Sequence, residues 1–596
     1  MPDIYPSLQK YFGYSTFRPL QEDIITRILE KKDTFVLMPT GGGKSLCYQL
    51  PSLVLDGTTI VISPLISLMK DQVDVLKQNG IAAEYLNSSL QPAQQHEVLQ
   101  KLKNKELSLL YVAPERLVQE NFLDVLKTVP INFFAIDEAH CISQWGHDFR
   151  PEYRKLNLIR NYFPDRPIVA LTATATPQVK EDIIERLKLQ QAKTFQASFN
   201  RPNLSYTVIP KDNPYDQLSE YIAKHQGESG IIYCQSRATV ETVASYLQQQ
   251  NIKALPYHAG LSDEERSQNQ EKFIREDTDI IVATIAFGMG IDKPNVRFVI
   301  HYNLPKTLEH YYQETGRAGR DGLPSECILL FNFADRFAHE RFIREKESEQ
   351  EKLVAIQQLN KVIEFSQSTI CRRAQLLRYF GEETDIHNCA SCDNCTVVRE
   401  TFDATIIAQK ILSTIYHLKG KFGIAQVVNI LLGSKAQKIL DYNHHKLSTY
   451  GIVTDYDRNQ IKTIIYALIH GGYIQQSQDE YGVIGLTEKS IPLLKNQEKI
   501  ELVKPAKMSV SKNKKVDEST INPDLFNTLR ILRKRLADDA NLPPYIIFSD
   551  ASLKDMAAHI PQNKTEFRTI KGVGDMKLEA YGDIFLKKIK EYLGKK

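Results

Sequence analysis

Two stretches of the chain repeat one pattern, in which short apolar segments alternate with longer amphipathic ones. The short segments are rich in β-branched residues between residues 33 and 175, and the pattern begins again at residue 229. Strands that are apolar throughout and alternate with helices predict a parallel sheet covered by helices on both faces. We therefore predict two consecutive α/β lobes, residues 1–200 and 201–335, joined near 197–215, where three prolines occur.

The pattern becomes mainly helical after the second lobe. Residues 334–365 contain neither glycine nor proline and indicate helical structure, and residues 336–400 are predicted to form a module that also carries the cysteine cluster. Residues 401–500 are predicted to form helices closed by a β-hairpin, the arrangement of a winged helix. The Lys- and Ser-rich residues 501–520 predict a flexible linker, and residues 521–596 predict a final helical domain.

Length and composition restrict the class of protein. A chain of 596 residues is too long for one hydrophobic core. The net charge of +3 gives no argument for a polyanionic partner, so any nucleic-acid surface must come from local clustering. No apolar run approaches the length of a membrane span, and the first residues do not resemble a signal peptide. We therefore expect a cytoplasmic protein without disulfides or a membrane partner.

A glycine-rich loop follows the first predicted strand and precedes a helix, which is the setting of a phosphate-binding loop. Its backbone N–H groups would bind phosphate oxygens, Lys44 would add a positive charge, and Ser45 would hold Mg²⁺. Met38 stands where the strict pattern has glycine, so a flexible turn beside a surface lysine remains an alternative. The expected nucleotide contacts are Met38, Pro39, Thr40, Gly41, Gly42, Gly43, Lys44 and Ser45.

Two charged pairs complete the predicted catalytic site. Asp137 and Glu138 end an apolar strand, where Asp137 could bind Mg²⁺ and Glu138 could orient and deprotonate the attacking water. Arg317 and Arg320 lie three residues apart in the second lobe and could neutralise charge on a γ-phosphoryl group. The alternatives are a solvated strand end and a basic patch that pairs with nearby carboxylates. Together with the loop, these residues predict a nucleotide between the lobes, with hydrolysis coupled to lobe closure.

Four of the eight cysteines fall within 25 residues, whereas the other four are scattered and are predicted to be core residues. Four thiolates are enough for a tetrahedral structural Zn²⁺ site. An iron–sulfur cluster is the competing interpretation, but Arg399 occupies the position where that pattern continues with cysteine. His387 is a further candidate to replace one cysteine. The predicted zinc ligands are Cys371, Cys389, Cys392 and Cys395.

A set of short motifs occurs along the chain in a fixed order: "FGYSTFRPLQEDII", "SPLISLMKDQV", "APERL", "LTATAT", "YCQSR", "HAGLSDEER", "ATIAFGMGIDKPNVRFVIH" and "QETGRAGRDG". This ordered set resembles that of superfamily 2 helicases and specifically the bacterial RecQ family of DNA helicases. The resemblance implies that Tyr14 stacks on adenine, that Arg18 and Gln21 contact the nucleotide, and that Gln313 belongs to the same site. The family also accepts a residue other than glycine at the position of Met38.

The resemblance implies two tandem RecA-like lobes, a zinc-binding module, a winged helix and a small helical HRDC domain. The implied activity is an ATP-dependent DNA helicase that moves 3′ to 5′ in DNA repair, recombination, replication and the SOS response, with Mg²⁺-ATP and one structural Zn²⁺. Implied partners are single-stranded and forked DNA, a single-stranded DNA-binding protein and a topoisomerase, and we expect a monomer on the nucleoid. An RNA helicase and a catalytically silent DNA-binding scaffold are the alternatives.

DNA contacts are expected mainly from one loop and several motif residues. The loop at residues 141–153 follows the acidic pair, contains the single tryptophan, and in the family contacts single-stranded DNA and relays its presence to the ATP site. Its aromatics could stack on bases, or Trp145 could anchor the loop by packing. Tyr481, near the tip of the predicted hairpin turn at 479–482, is either a strand-separating wedge or a surface tyrosine. The expected DNA-contacting residues are Arg116, Trp145, Phe149, Arg150, Ser236, Arg237, His258 and Tyr481.

The final segment contains "GVGDMKLEAYG", in which exposed N–H groups at a helix start could hold a phosphate. Lys571 and Lys577 would assist. A module for protein interaction is the equal alternative.

Overall fold

The structure of the chain is a computed structural model. It describes residues 3–143, 150–288, 293–346, 348–396, 401–476, 483–503 and 522–594. The chain forms two compact units. The larger comprises Met1–Val362, Cys371–Cys392 and Lys515–Lys596, and the smaller comprises Ile363–Ile370 and Asp393–Lys514. No helix within the described ranges is both long enough and apolar enough to cross a bilayer.

The first lobe is built on a seven-stranded parallel sheet. Its strands are β1 Thr34–Leu37, β2 Thr58–Ile62, β3 Ala83–Leu86, β4 Leu109–Val112, β5 Ile131–Ile136, β6 Ile168–Thr172 and β7 Lys193–Gln196. The order is β3-β4-β2-β5-β6-β1-β7. The apolar pattern predicted β1, β2, β4, β5 and β6, all of which are buried. It missed the edge strands β3 and β7, because a strand paired on one side only needs less apolar sequence.

Helices cover both faces of this sheet, as predicted. They are Tyr5–Ser7, Leu8–Phe12, Gln21–Leu29, Lys44–Val54, Ile66–Gln78, Pro92–Lys103, Pro114–Leu117, Glu120–Lys127, Ala139–Ile142, Pro151–Arg154, Lys155–Asn157, Leu158–Tyr162 and Pro177–Arg186. The sheet order places β6 between β1 and β5. The segments that follow β1 and β5 therefore emerge at the same edge of the sheet, on either side of the end of β6.

The second lobe contains a six-stranded parallel sheet with the order β10-β11-β9-β12-β13-β8. Its strands are β8 Leu204–Pro210, β9 Ser229–Tyr233, β10 Ala254–Tyr257, β11 Ile280–Ala283, β12 Val296–His301 and β13 Ser325–Phe331. Its helices are Pro214–Lys224, Arg237–Gln249, Asp263–Ile274 and Leu308–Thr315. Strand β8 lies inside the predicted connection between the lobes. Only its alternate residues Leu204 and Tyr206 are buried, so its sequence gives a weak strand signal.

The stretch 334–365 is helical, as predicted, and forms two helices, Asp335–Arg344 and Glu349–Gln367. The second begins after Ser348, whose hydroxyl accepts a hydrogen bond from the Glu351 amide at 3.4 Å and so caps the new helix. Helices Arg372–Tyr379 and Asp393–Thr396 follow.

The smaller unit contains the predicted winged helix. Its helices are Thr405–His417, Ile424–Leu431, Gln437–Asp441, His444–Lys446, Arg458–His470 and Ser490–Leu494. Strands Ile474–Gln476 and Ile484–Leu486 pair in antiparallel register, as the hairpin prediction required. The tip with Tyr481 lies outside the described residues. Thr401–Asp403 pairs with Glu501–Val503, so the predicted linker begins with a strand.

The last domain packs five helices around Leu529, Phe548, Phe567 and Phe585. They are Pro523–Asp539, Pro544–Ile547, Asp550–His559, Lys564–Arg568 and Asp575–Leu593.

This domain contacts both lobes within the larger unit. Arg533 Nη2 lies 3.0 Å from Glu276 Oε1 of the second lobe. Gly574 packs against Gly13 of the first lobe so closely that a Cβ added to Gly13 would lie 2.7 Å from the Gly574 nitrogen. The first lobe therefore packs against Gly574 at the start of the last helix, and phosphate binding there with Lys571 and Lys577 stays a prediction.

Candidate active site and metal centre

The loop after β1 has the geometry of a phosphate-binding loop. Gly41 and Gly43 adopt φ of 80° and 85°, which glycine tolerates far better than other residues. Lys44 Nζ lies 3.1 Å from the Met38 carbonyl oxygen, and the Met38 amide donates to Thr172 O at 3.1 Å. The Met38 side chain is buried in the core of the lobe. The position without glycine is thus a core position, and its side chain packs beside Gly42 of the loop.

The segment before β1 supports this loop. Arg18 Nη1 donates to Gly41 O at 2.5 Å, and Gln21 Nε2 donates to Gly43 O at 3.1 Å. Gln21 Oε1 also accepts from the Arg18 amide at 2.8 Å. Tyr14 keeps 37% of its surface exposed, which leaves its ring accessible for stacking. The structure therefore brings Arg18 and Gln21 to the phosphate loop, and the nucleotide contact that the resemblance implies for them stays a prediction.

The acidic pair follows β5 at the same edge of the sheet. The Asp137 amide donates to Ile62 O at 2.9 Å, which fixes the end of the strand. Glu138 has φ of 48°, an uncommon conformation for a residue with a side chain. His140 Nδ1 lies 3.2 Å from Glu138 Oε2 and 2.9 Å from Thr172 Oγ1. Thr172 thus contacts both the phosphate loop and the histidine that holds Glu138, a role that the sequence analysis missed.

Two adjacent carboxylates are unfavourable when both are buried and ionised, because each loses its hydration and the two charges repel each other. Burial first, and then the charge of Glu138, raise the pKa of Asp137. Burial also raises the pKa of Glu138, but this effect is outweighed by the nearby positive groups His140, Lys44 and Arg317. The pKa of Glu138 is therefore lowered overall. A divalent cation would therefore stabilise the ionised form of Asp137, whereas Glu138 stays ionised at neutral pH without one. This asymmetry fits Mg²⁺ at Asp137.

The second lobe presents Arg317 toward this acidic pair. Arg317 is buried directly after helix Leu308–Thr315, and its charge contributes to the low pKa of Glu138. A Cβ added to Gly288 would lie 3.8 Å from Arg317 Nη2. The lobes also meet at Gly316, where an added Cβ would lie 3.2 Å from Thr40 Cβ of the phosphate loop. The predicted arginine therefore lies across the cleft from the predicted carboxylates.

Buried partners fix the helix that precedes Arg317. Glu314 Oε2 lies 2.6 Å from His301 Nε2, and both residues are almost fully buried. Gln313, on the same helix, is 9% exposed, and Arg320 is partly buried. Arg201 Nη1 lies 2.5 Å from Thr40 O, a contact that was not predicted from the sequence. The only signal was an arginine in the predicted connection.

The four predicted zinc ligands form one cluster. The Sγ atoms of Cys371, Cys389, Cys392 and Cys395 all lie within 4.8 Å of one another. Four thiolates at about 2.3 Å from one Zn²⁺ are compatible with this spacing. Cys371 precedes helix Arg372–Tyr379, whose N-terminus favours a thiolate. His387 is exposed and does not belong to the cluster, so it does not replace a cysteine here.

The predicted DNA contacts have varied surroundings. Arg237 is exposed at the start of its helix, and Ser236 Oγ caps that helix by accepting from the Thr239 amide at 3.1 Å. His258 is buried, with Nε2 2.7 Å from Glu241 and Nδ1 accepting from the Gly260 amide at 3.1 Å. This geometry gives His258 a role in positioning its loop, and a DNA contact by it stays a prediction.

Two further arginines in this group hydrogen-bond to neighbouring segments. Arg116 Nη1 donates to Gln119 Oε1 at 2.8 Å, and Arg150 Nη1 donates to Pro64 O at 2.9 Å. Trp145 and Phe149 lie outside the described residues.

Two parallel-sheet lobes, with a phosphate loop and acidic pair on one and an arginine facing them from the other, define the helicase class of nucleotide hydrolases. Models of five protein families match consecutive parts of the chain. They are the DEAD/DEAH box helicase (18–183), the helicase conserved C-terminal domain (213–322), RecQ zinc-binding (333–396), the RQC domain (398–511) and the HRDC domain (522–589).

Relatives match over almost the full length. The chain is 45% identical to an ATP-dependent DNA helicase RecQ of Haemophilus influenzae, covering 99% of this chain and 96% of the relative. It is 41% identical to the RecQ helicase of Bacillus subtilis, covering 98% of each. The chain belongs to the RecQ family. It is an ATP-dependent DNA helicase with Mg²⁺-ATP and a structural Zn²⁺ as cofactors, which confirms the predicted enzyme class and favours zinc over an iron–sulfur cluster.

Proposed function

We propose that the protein moves 3′ to 5′ on single-stranded DNA and unwinds forked duplexes during DNA repair, recombination and replication. It would act as a monomer in the cytoplasm, on the nucleoid. A single-stranded DNA-binding protein and a topoisomerase are the proposed protein partners.

One observation carries the proposal for the ATP site: the second lobe packs on the phosphate loop directly beside Arg317, where a Cβ added to Gly316 would lie 3.2 Å from Thr40 Cβ. In this scheme Lys44 binds the β- and γ-phosphates, and Tyr14, Arg18 and Gln21 hold the base and the loop. Asp137 and Ser45 would hold Mg²⁺, which when bound withdraws charge from the phosphate oxygens.

Glu138 would orient water for in-line attack on the γ-phosphorus and accept its proton. Its lowered pKa keeps it ionised at neutral pH, as this role requires. The bond from the γ-phosphorus to the β-phosphate oxygen breaks as the new P–O bond forms. Arg317 and Arg320 would stabilise the charge that develops on the transferred group. The hydrolysis thereby depends on the two lobes being closed.

DNA would be sensed by the loop at residues 141–153, which starts directly after the acidic pair. Its described end supports this link, because the Arg150 amide donates to Cys141 O at 2.9 Å and the Arg150 side chain reaches Pro64 O. Stacking of a base on Trp145 or Phe149 would shift this short connection and so reach Glu138.

Steady-state ATP hydrolysis with and without single-stranded DNA tests the site. We expect Lys44→Ala and Glu138→Gln to lose about 100-fold or more in kcat, because the first removes a cation that binds the phosphates and the second removes the base that orients the attacking water. Lys127→Ala, at an exposed salt bridge on the first lobe, is the matched control and should keep wild-type kcat. Unwinding of duplexes with a 3′ or a 5′ tail tests polarity. Normal hydrolysis by Glu138→Gln, or unwinding only from a 5′ tail, contradicts the proposal.

A further inference from the structure

Arg201 lies in the hinge segment, residues 198–204, which connects the two lobes. Its Nη1 donates to Thr40 O at 2.5 Å, in the phosphate loop of the first lobe. Its Nη2 donates to Ala318 O at 3.0 Å and Gly319 O at 2.9 Å, in the loop that carries the arginines of the second lobe. One side chain therefore connects the two loops that must face each other around the triphosphate.

Asn203 strengthens the second half of this connection. Its Nδ2 donates to Gly319 O at 2.9 Å and Leu323 O at 3.0 Å, and its Oδ1 accepts from Arg201 Nε at 3.3 Å. Gly319 has φ of 57°, and a Cβ there would lie 2.5 Å from Asn203 Nδ2. The turn of the arginine-bearing loop is thus shaped to fit against the hinge.

The acceptors of Arg201 in the described part of the chain are neutral carbonyl and amide oxygens. Burial lowers the pKa of Arg201, and the charge of Arg320 acts in the same direction. A guanidinium offers five donors in a rigid fork, which matches acceptors that lie on two lobes. The Arg201 side chain therefore positions main-chain segments of both lobes through hydrogen bonds, and its placement is not explained by an ion pair.

We propose that Arg201 is a positioning residue for ATP hydrolysis. It holds the loop at residues 315–320 against the phosphate loop, so that Arg317 and Arg320 face the γ-phosphate. Movement of the hinge would then change the distance between the arginines and the nucleotide without altering the contacts of Arg18 and Gln21. This inference rests on the proposed ATP site and assigns it a further residue.

The test compares Arg201→Ala with Arg201→Lys in steady-state ATP hydrolysis at saturating single-stranded DNA. We expect both variants to lose at least tenfold in kcat, while KM for ATP changes less than threefold, because the contacts made by the first lobe remain. Lysine keeps the charge but is a single point donor, so it should not rescue the rate. The control is Arg186→Ala, which removes an ion pair with Asp182 at the surface of the first lobe and should leave both constants unchanged.

Three outcomes would overturn the inference: unchanged constants in Arg201→Ala, a raised KM with unchanged kcat, or full rescue by lysine. A raised KM alone would indicate that Arg201 contributes to phosphate binding. Full rescue by lysine would indicate that only the positive charge of Arg201 matters. If Arg201→Ala does not fold, as judged by thermal unfolding, the kcat of Arg201→Lys decides. Lys44→Ala is measured alongside, since an inactive Lys44→Ala with a normal Arg201→Ala would refute the inference and leave the active-site assignment standing.

Discussion

Tyr233 ends strand β9 with its hydroxyl between two functional loops. The hydroxyl donates to Phe287 O at 2.8 Å, and burial raises the pKa of the phenol while the nearby charge of Arg317 acts in the opposite direction. The ring stacks on His301 with 5.4 Å between centroids. Since His301 also binds Glu314, Tyr233 and His301 form one buried group at the C-terminal end of the helix that precedes Arg317.

Replacement of Tyr233 by phenylalanine should lower kcat for ATP about tenfold, with little change in KM. The substitution keeps the ring and its stacking but removes the buried hydrogen bond to the Phe287 carbonyl oxygen, worth about 0.5 to 1.5 kcal/mol. Steady-state hydrolysis at saturating DNA measures the effect. Tyr246→Phe is the matched control, because that hydroxyl pairs only with Ser219 in the contacts described for it, at 3.3 Å. A Tyr233→Phe enzyme with normal kcat would show that Arg317 needs no such support.

The residues that the sequence predicted differ from those it missed in a physical way. Lys44 and the acidic pair follow strands directly, so local spacing alone indicates their position and their chemistry. Tyr233, His301 and Arg201 act through partners more than ten residues away in sequence. Such contacts depend on the sheet order, which the local pattern does not specify.

The zinc-binding module holds the hinge segment from the side. Arg373 Nη1 donates to Asn200 Oδ1 at 2.8 Å, and its Nη2 donates to Leu204 O at 2.8 Å and Ser391 Oγ at 2.9 Å. Ser391 in turn contacts Cys389 Sγ at 3.5 Å. The cysteine cluster is thereby connected through two side chains to the segment that contains Arg201.

Aromatic stacking and a carboxylate reinforce this contact. The ring of Phe380 stacks on that of Phe199, with 4.6 Å between centroids and 15° between planes. Glu382 accepts from the Phe199 amide at 2.8 Å and from Ser198 Oγ at 2.6 Å. The hinge is therefore a packed element, although its prolines predicted only a connection.

Arg373→Ala should lower kcat for ATP by about fivefold or more, because the hinge loses the hydrogen bonds that Arg373 donates to Asn200 and Leu204. If Arg373 acts through Arg201, the double variant should be little worse than either single one, with a coupling of about 1 kcal/mol or more. Arg378→Ala, exposed on the same helix, serves as the control. Additive losses in the double variant would show that the two arginines act independently.

Element boundaries were predicted where the sequence carries a strong local signal. The buried strands of both lobes have continuous apolar runs, whereas the edge strands β3 and β7 and the alternating β8 do not. The break before Glu349 depends on a single serine cap, a signal too short to outweigh a long helical pattern.

On the scale of the whole larger unit, the last domain contacts both lobes, and polar groups dominate its contact with the second. Lys534 Nζ lies 2.7 Å from Asp277 Oδ1 and donates to Arg275 O at 2.7 Å. Arg533 is fully buried between Glu276 and Asp550. On the first lobe, Met576 packs against Gly80. Any movement of one lobe relative to the other must carry this domain along or break one of these contacts.

Charge reversal at the exposed pair tests how firmly the domain is docked. Lys534→Glu places a carboxylate opposite Asp277 and should weaken docking by about 1 kcal/mol, since exposed pairs contribute roughly 0.2 to 1 kcal/mol and the reversal adds repulsion. Amide hydrogen exchange at Arg275–Asp277 should then rise about fivefold. Asp277→Lys combined with Lys534→Glu restores opposite charges and should restore protection. If exchange in the reversed pair stays as fast as in Lys534→Glu, the ion pair does not hold the domain, and docking depends on the buried Arg533 and the Gly13 contact instead.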